Sequence, residues 1–164
     1  MPMRPERLVT ARLTLTPLRV ADAGELAPLL DDPALHAFTG GAPASRDALH
    51  ERFERQVRGR SPDGTERWFN WVVRRRADGV AVGTVQATVR ADEAELAWVI
   101  AVPHQRQGYA REAAAAVAGR LREAGDGPLV AHIHPAHAAS AAVAAAIGLR
   151  PTERTHDGER RWQG

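Results

Sequence analysis

The chain changes period once, abruptly, and that change limits the folds open to it. From Arg67 to Val102 it runs in strand-length pieces, WFNWVVRRR, VAVGTVQATVR and AELAWVIAV, separated by Ala77-Asp78-Gly79 and Ala91-Asp92. Asp-Gly between two such runs is a hairpin signal, so the three pieces form an antiparallel meander. Then GYAREAAAAVAGRLREAG takes over. It sets Ala110, Ala114, Val117 and Leu121 on one helical face and ends at Gly125. LVAHIH follows as a strand. A strand, a crossover helix and a second strand return parallel, so AELAWVIAV and LVAHIH form a parallel pair beside a helix N-terminus.

The flanking segments fill in the rest. RLTLTPL alternates Leu13 and Leu15 with Thr14 and Thr16 and is expected as the first strand. In DAGELAPLLDD, Asp22 and Glu25 have the spacing of a capping box, Leu26, Leu29 and Leu30 share a face, and Pro28 predicts a short or kinked helix. A turn-rich gap from Thr39 to Pro43 precedes a second helix, SRDALHERFERQVRGR, with Leu49, Phe53 and Val57 four apart. AASAAVAAAIG predicts a last helix with Val143 and Ile147 four apart, and Thr155-His156-Asp157-Gly158 turns between two short final strands. The expected class is α+β, a mixed, mostly antiparallel central sheet flanked by helices. No repeat, linker or low-complexity stretch divides the chain, so residues 1–164 are expected as a single domain with one core.

Composition removes several function classes. Without cysteine there is no disulfide framework, thiolate metal site or cysteine nucleophile. The 22 basic residues, all arginine, are interleaved with 20 acidic ones to a net charge of +2, which argues against a nucleic-acid surface. The densest run, Arg74 to Arg76, stands at a strand end before Asp78-Gly79 and reads as a solvated edge. No window has the apolar length of a membrane span, and Met1 to Arg12 lacks the apolar centre of a signal peptide, so a cytoplasmic protein is expected.

The boundary between the meander and the alanine-rich helix, VPHQRQGYAREA, has the makings of an anion site. Unpaired N–H groups and the positive dipole end meet at the helix start, Gly108 and Ala110 let oxygens approach the backbone, and Arg106 and Arg111 add charge. It is neither G-x-G-x-x-G nor a Gly-Lys-Ser/Thr phosphate loop. The six residues Gln105-Arg106-Gln107-Gly108-Tyr109-Ala110 resemble the acetyl-CoA signature of the GNAT acetyltransferases, (Gln or Arg)-x-x-Gly-x-(Gly or Ala), and AELAWVIAV resembles that family's fourth strand. HPAHAASAAVAAAIGLRP is similar to the branch of ribosomal-protein N-terminal acetyltransferases, in which a helix opens with Asn-x-x-Ser and a Gly-Phe or Gly-Leu follows.

The resemblance implies a V-shaped opening between the two parallel strands, pantetheine along the first of them, and pyrophosphate on the helix N-terminus. Gln105, Arg106, Gln107, Gly108, Tyr109, Ala110 and Arg111 would then form the phosphate cradle, with Tyr109 packing over the cofactor. N–H groups near Ile100, Ala101 and Val102 would hold the thioester carbonyl. His137 occupies the usual asparagine position beside pantetheine, and Ala144 the position where many relatives carry a tyrosine acid.

Acetyl transfer to an amine needs a proton acceptor. Glu95, on the cleft strand, is the expected base, with Glu93 and Glu159 in reserve, and Ser140 in the first turn of the last helix is expected to assist the departing thiolate. The structural alternatives are an exposed strand-end charge for Glu95 and a helix-start serine for Ser140. His132, His134 and His137 raise a zinc-hydrolase reading, against which substrate contact or strand packing is favoured, and no metal is expected. Phe69 and Trp71 read as core aromatics. The expectation is an acetyl-CoA-dependent N-acetyltransferase acting on a protein N-terminus or a small amine, by direct transfer in a ternary complex, as a monomer or homodimer. The alternative is a non-catalytic acyl-CoA-binding module.

Overall fold

The computed structural model describes residues 5–37 and 43–164, so most of the expected gap at Thr39 to Pro43 lies outside the described residues. In chain order the elements are β1 (Leu8–Val9), β2 (Leu13–Pro17), α1 (Ala23–Leu29), α2 (Arg46–Gln56), β3 (Arg67–Arg75), β4 (Ala81–Val89), β5 (Ala94–Ile100), α3 (Tyr109–Glu123), β6 (Leu129–Ile133), α4 (Ala138–Ala146), β7 (Arg150–His156) and β8 (Glu159–Gln163), with short 3₁₀ turns at Val20–Asp22, Pro33–His36 and Val102–His104. The strands form one eight-stranded sheet in the order β1-β2-β3-β4-β5-β6-β8-β7, antiparallel except for β5 and β6. This is the α+β architecture expected, with the meander and the parallel pair in their expected places. Among the described residues no helix is long and apolar enough to cross a membrane.

Two apolar layers cover the sheet, one on each face. The larger joins Leu13, Leu15, Phe69, Trp71, Leu96 and Ile100 to Ala114, Val117 and Leu121 of α3, to Ala144 of α4 and to Ile147 just past its end. The stripe read from the alanine-rich segment is thus its packing face. The smaller layer holds α1 and α2 against the sheet through Leu26, Leu49, Phe53 and Val72.

Several local expectations are corrected. RLTLTPL supplies the second strand, because Leu8–Val9 pairs with it first, too short to show a period. The Asp22 carboxylate reaches back to the Arg19 N–H at 2.8 Å, so it closes the preceding 3₁₀ turn and does not cap α1. With Pro28 inside, α1 is short, seven residues. Val57 is exposed because α2 ends one residue before it. The arginine run ends β3, an interior strand, and its members serve as ties: Arg74 to Glu25, Arg75 to Asp78, and Arg76 to the carbonyls of Thr10 and Ala11.

The parallel pair ends almost as soon as it forms. Only Ala94↔Leu129 and Glu95↔Val130 are paired. Beyond them β5 stays with β4 as far as Gly83↔Ile100, while β6 stays with β8 from Val130↔Gln163 to Ile133↔Arg160. The sheet therefore forks, with its apex at Glu95 and Val130 and its mouth at the C-terminal ends of β5 and β6. Gly83 lets the far end of β5 lie close, since a Cβ there would collide with the Val99 carbonyl oxygen. Gly83→Ala is expected to lower stability by about 1–3 kcal/mol, the cost of overpacking against atoms that cannot rotate away, measured as a lower urea midpoint.

Candidate functional site

The mouth of the fork meets the N-terminus of α3. After Ile100 the chain makes its 3₁₀ turn, and Arg106 and Gly108 adopt left-handed backbone, φ 64° and 82°, before α3 begins at Tyr109. Glycine takes that conformation without cost and arginine does not, so a strained residue and a permissive one together shape the bend. Arg106, Gln107, Gly108 and Arg111 are exposed around the unpaired N–H groups of the first turn. The arrangement can hold an anion of phosphate type.

Other expected members are placed differently. The Gln105 amide donates to the Ile100 carbonyl at 2.9 Å, so this side chain clips the loop to the end of β5. The Ala101 N–H is committed to Val82 O at 2.8 Å, which removes it as a free donor to a thioester oxygen. Tyr109 is buried in the core, and the Arg12 guanidinium lies 4.7 Å from its ring centroid, so the phenol packs beneath the loop. Ala110, half-buried, packs against the core from the first turn of α3. Val102, exposed, opens the 3₁₀ turn.

Sequence reasoning missed Arg12. Its Nη1 donates to Gln107 O at 2.8 Å, its Nε to Glu112 Oε1 at 2.8 Å, and its own N–H to Glu112 Oε2 at 2.8 Å. The Thr10 hydroxyl also donates to Glu112 Oε2. Burial alone would raise the Glu112 pKa, but the hydrogen bonds from Thr10 and Arg12 outweigh it and hold the carboxyl below its ordinary value. The turn between β1 and β2 thus braces the first turn of α3 and the loop before it. No local signal announces this, because the partners are a hundred residues apart.

Near the apex, Glu95 accepts from Arg90 Nη1 at 3.1 Å and lies 3.0 Å from His132 Nδ1. Arg90 also binds Glu66 at 2.7 Å and Glu93 at 3.3 Å, and Arg161 binds Glu93 at 3.2 Å. Glu93 is therefore locked between two guanidinium groups. Burial pushes the Glu159 carboxyl above its ordinary value, with His132 opposing and Glu95 reinforcing the shift. His134 lies just past the end of β6, where its Nδ1 accepts the Ala136 N–H at 3.0 Å. His132 and His134 are thus drawn to different partners, and among the described residues no group of three or more His, Asp and Glu is placed to hold a metal ion.

At the start of α4, Ser140 Oγ lies 3.4 Å from His137 Nε2. Burial, with His134 nearby, lowers the His137 pKa and so favours its neutral ring. Ala144 is fully buried in the larger core layer, where a tyrosine would need that core to give way.

A cavity of about 350 Å³ lies on the opposite face from α3, between α2 and strands β3 to β5. Ala97 and Val99 line it from β5, on the same strand face as Glu95. Gln56, Asn70 and Gln86 contribute amides, and Arg52 is the one charged side chain among the described lining residues. Burial and the neighbouring Arg55 depress the Arg52 pKa.

Residues 12–150 match the family described as Acetyltransferase (GNAT) domain. No curated protein matches the sequence. Among solved structures, an acetyltransferase from Agrobacterium tumefaciens has a TM-score of 0.76 at 25% identity, covering 100% of this chain and 96% of that one. The microcin self-immunity acetyltransferase MccE, in complex with acetyl-CoA and AMP, has a TM-score of 0.78 at 13% identity over 98% of this chain and 97% of that one. RimL, a ribosomal alpha-N-protein acetyltransferase in complex with coenzyme A, has a TM-score of 0.76 at 15% identity over 96% of each chain. The last two likenesses, at such low identity, speak for the fold.

The Arg12–Glu112 brace has a pH signature. Because the folded-state pKa of Glu112 is depressed, its contribution is present above the unfolded-state value and is lost as pH falls through the folded value. Glu112→Gln is expected to cost about 1.5–3 kcal/mol at neutral pH, with the deficit shrinking in acid, read from urea midpoints across the pH range.

Proposed function

We propose, on the premise that the chain belongs to the GNAT acetyltransferase family, that it transfers the acetyl group of acetyl-CoA to a primary amine by direct attack in a ternary complex. The observation that carries the reading is the coincidence of the fork with the left-handed turn at Arg106 and Gly108. An opened strand pair offers backbone partners to an amide-bearing chain such as pantetheine, and the α3 N-terminus lies where its pyrophosphate would end. Arg106 and Arg111 supply charge, the N–H groups of residues 108–111 supply donors, and Ile100 and Val102 flank the thioester path. His137 and Ser140 stand on the opposite lip, and the serine hydroxyl assists the departing thiolate. The Glu95–His132 pair takes up the amine's proton. No metal enters this chemistry.

The acceptor enters from the cavity on the α2 face. Arg52, with no carboxylate among the described lining residues, favours an amine that also bears an anionic group and disfavours a polyamine. A small amine or a protein N-terminus with an acidic neighbour meets that requirement. The proposed site of action is the cytoplasm, with residues 1–164 acting as one domain.

Three measurements test the reading. An amine panel of amino acids, spermidine and N-terminal peptides, followed by free-CoA release, is expected to show acceptor-dependent turnover, strongest with anionic amines. Tight acetyl-CoA binding with no release across the panel would point to a binding module. Gly108→Glu is expected to weaken acetyl-CoA binding at least tenfold by calorimetry, since it brings like charge to the pyrophosphate and a Cβ at a left-handed position 3.2 Å from Arg12. A folded variant of unchanged affinity would place the cofactor elsewhere. Ser140→Ala is expected to lower turnover by about ten to a thousandfold, the scale for losing a general acid or preorganised donor, with acetyl-CoA affinity held within a few fold.

A further inference from the structure

Glu95 stands at the apex of the fork, yet both its oxygens are already engaged. Oε1 accepts from Arg90 at 3.1 Å and Oε2 lies 3.0 Å from His132 Nδ1. With both oxygens committed to side chains that hold the apex together, Glu95 is placed to orient its partners. The imidazole is differently placed. With Nδ1–H donating to Glu95, the ring is held in the tautomer whose Nε2 carries a lone pair. Among the described residues, His132 makes this contact and a tilted ring contact with His156, 5.6 Å between centroids, and Glu159 acts on it electrostatically; neither geometric contact engages Nε2.

Position completes the case. Pairing between β5 and β6 stops at Val130, so His132 is on the part of β6 that has left β5. Leu129, Ala131 and Ile133 belong to the core layer under α3 and α4. His132 alternates with them and lies on the other face, the one that Glu95, Ala97 and Val99 share with the acceptor cavity. The groups around the ring are Glu95 from β5, Arg90 from the turn before it, Arg161 and Glu159 from β8, His156 from β7 and His134 beyond the end of β6.

We infer that His132 Nε2 receives the proton of the attacking amine and that Glu95 is a positioning residue, fixing the tautomer and stabilising the imidazolium that forms. The inference rests on the acetyl-transfer reading. As the neutral amine's lone pair forms the N–C bond, the C–S bond breaks and its electron pair leaves on the CoA sulfur. The N–H proton passes to His132 Nε2 and then to solvent. The Nδ1–H stays with Glu95 throughout.

The first test needs no acceptor. In ¹⁵N spectra of the neutral imidazoles, wild-type His132 is expected as the Nδ1–H tautomer, and in Glu95→Gln that preference weakens. A wild-type Nε2–H tautomer would overturn the inference. The second uses the best amine of the panel. Wild-type kcat/KM is expected to fall on an acid limb belonging to the Glu95–His132 pair as a unit. His132→Asn, which keeps a donor towards Glu95 but lacks the Nε2 acceptor, is expected to lose about a hundredfold or more and the limb with it. Glu95→Gln is expected to lose less, because it keeps the Nε2 acceptor and removes only the carboxylate that orients the ring. Acetyl-CoA affinity by calorimetry is expected to stay within threefold in both variants. If wild type releases CoA and the limb survives in His132→Asn but vanishes in Glu95→Gln, the carboxylate is the base and the assignment of His132 falls. If wild type releases no CoA with any amine, acetyl transfer itself falls, and this role with it.

Discussion

A parallel strand pair that stops after two residue pairs is the constraint on which the rest of this structure turns. Each strand leaving the fork must still satisfy its backbone groups. β5 does so on its β4 side through the meander, and β6 through the final hairpin of β7 and β8. Among the described residues, no strand lies between the edges that face each other across the opening. Such an opening persists only if the surrounding layers hold both arms, and α3 and α4 do this by packing one apolar layer across β5 and β6 together.

The apex and the mouth are stabilised by different means. At the apex, Glu66, Arg90, Glu93, Glu95 and Arg161 form a partly buried chain of charges that, with the His132 ring bound to Glu95, links β5 to β6 and β8. Electrostatic contacts of this kind are directional and local, and they fix how far the two arms can separate at their root. At the mouth the means are conformational: left-handed Arg106 and Gly108, the clip from Gln105 to the end of β5, and the brace from Arg12. The chemistry proposed for the site joins these two regions, proton handling at the root and anion binding at the tips.

The sequence made short-range structure legible and long-range pairing much less so. The meander, the Asp-Gly turns and the α3 stripe were readable because a period of two or 3.6 shows within a dozen residues. Gly108 at the head of α3 was readable as a residue that leaves the backbone open to a ligand, while its left-handed conformation came only with the structure. Val57 and the direction of the Asp22 cap were misread because a helix end shifted by a residue or two changes which groups need partners. Glu95 was legible as a carboxylate on the cleft strand, whereas its contact with His132 depends on the register of a parallel pair, which no residue near either one encodes. Tyr109 was expected over the ligand because it follows Gly108, but the first turn of α3 rotates it inward beneath Arg12. Position along a chain gives proximity to a site, and the helical turn decides which side of it a residue faces.

The bond from Arg12 to Gln107 joins the turn that enters the second strand of the sheet to a loop that the chain reaches only after the whole meander has been laid down. Contacts of such long sequence separation are entropically expensive to close and tend to form once the elements between them are in place. The anion cradle is therefore a product of finished tertiary structure. A partly folded chain in which α3 has formed but β2 has not docked would carry the complete motif in its sequence and still lack the geometry on which the proposed binding depends.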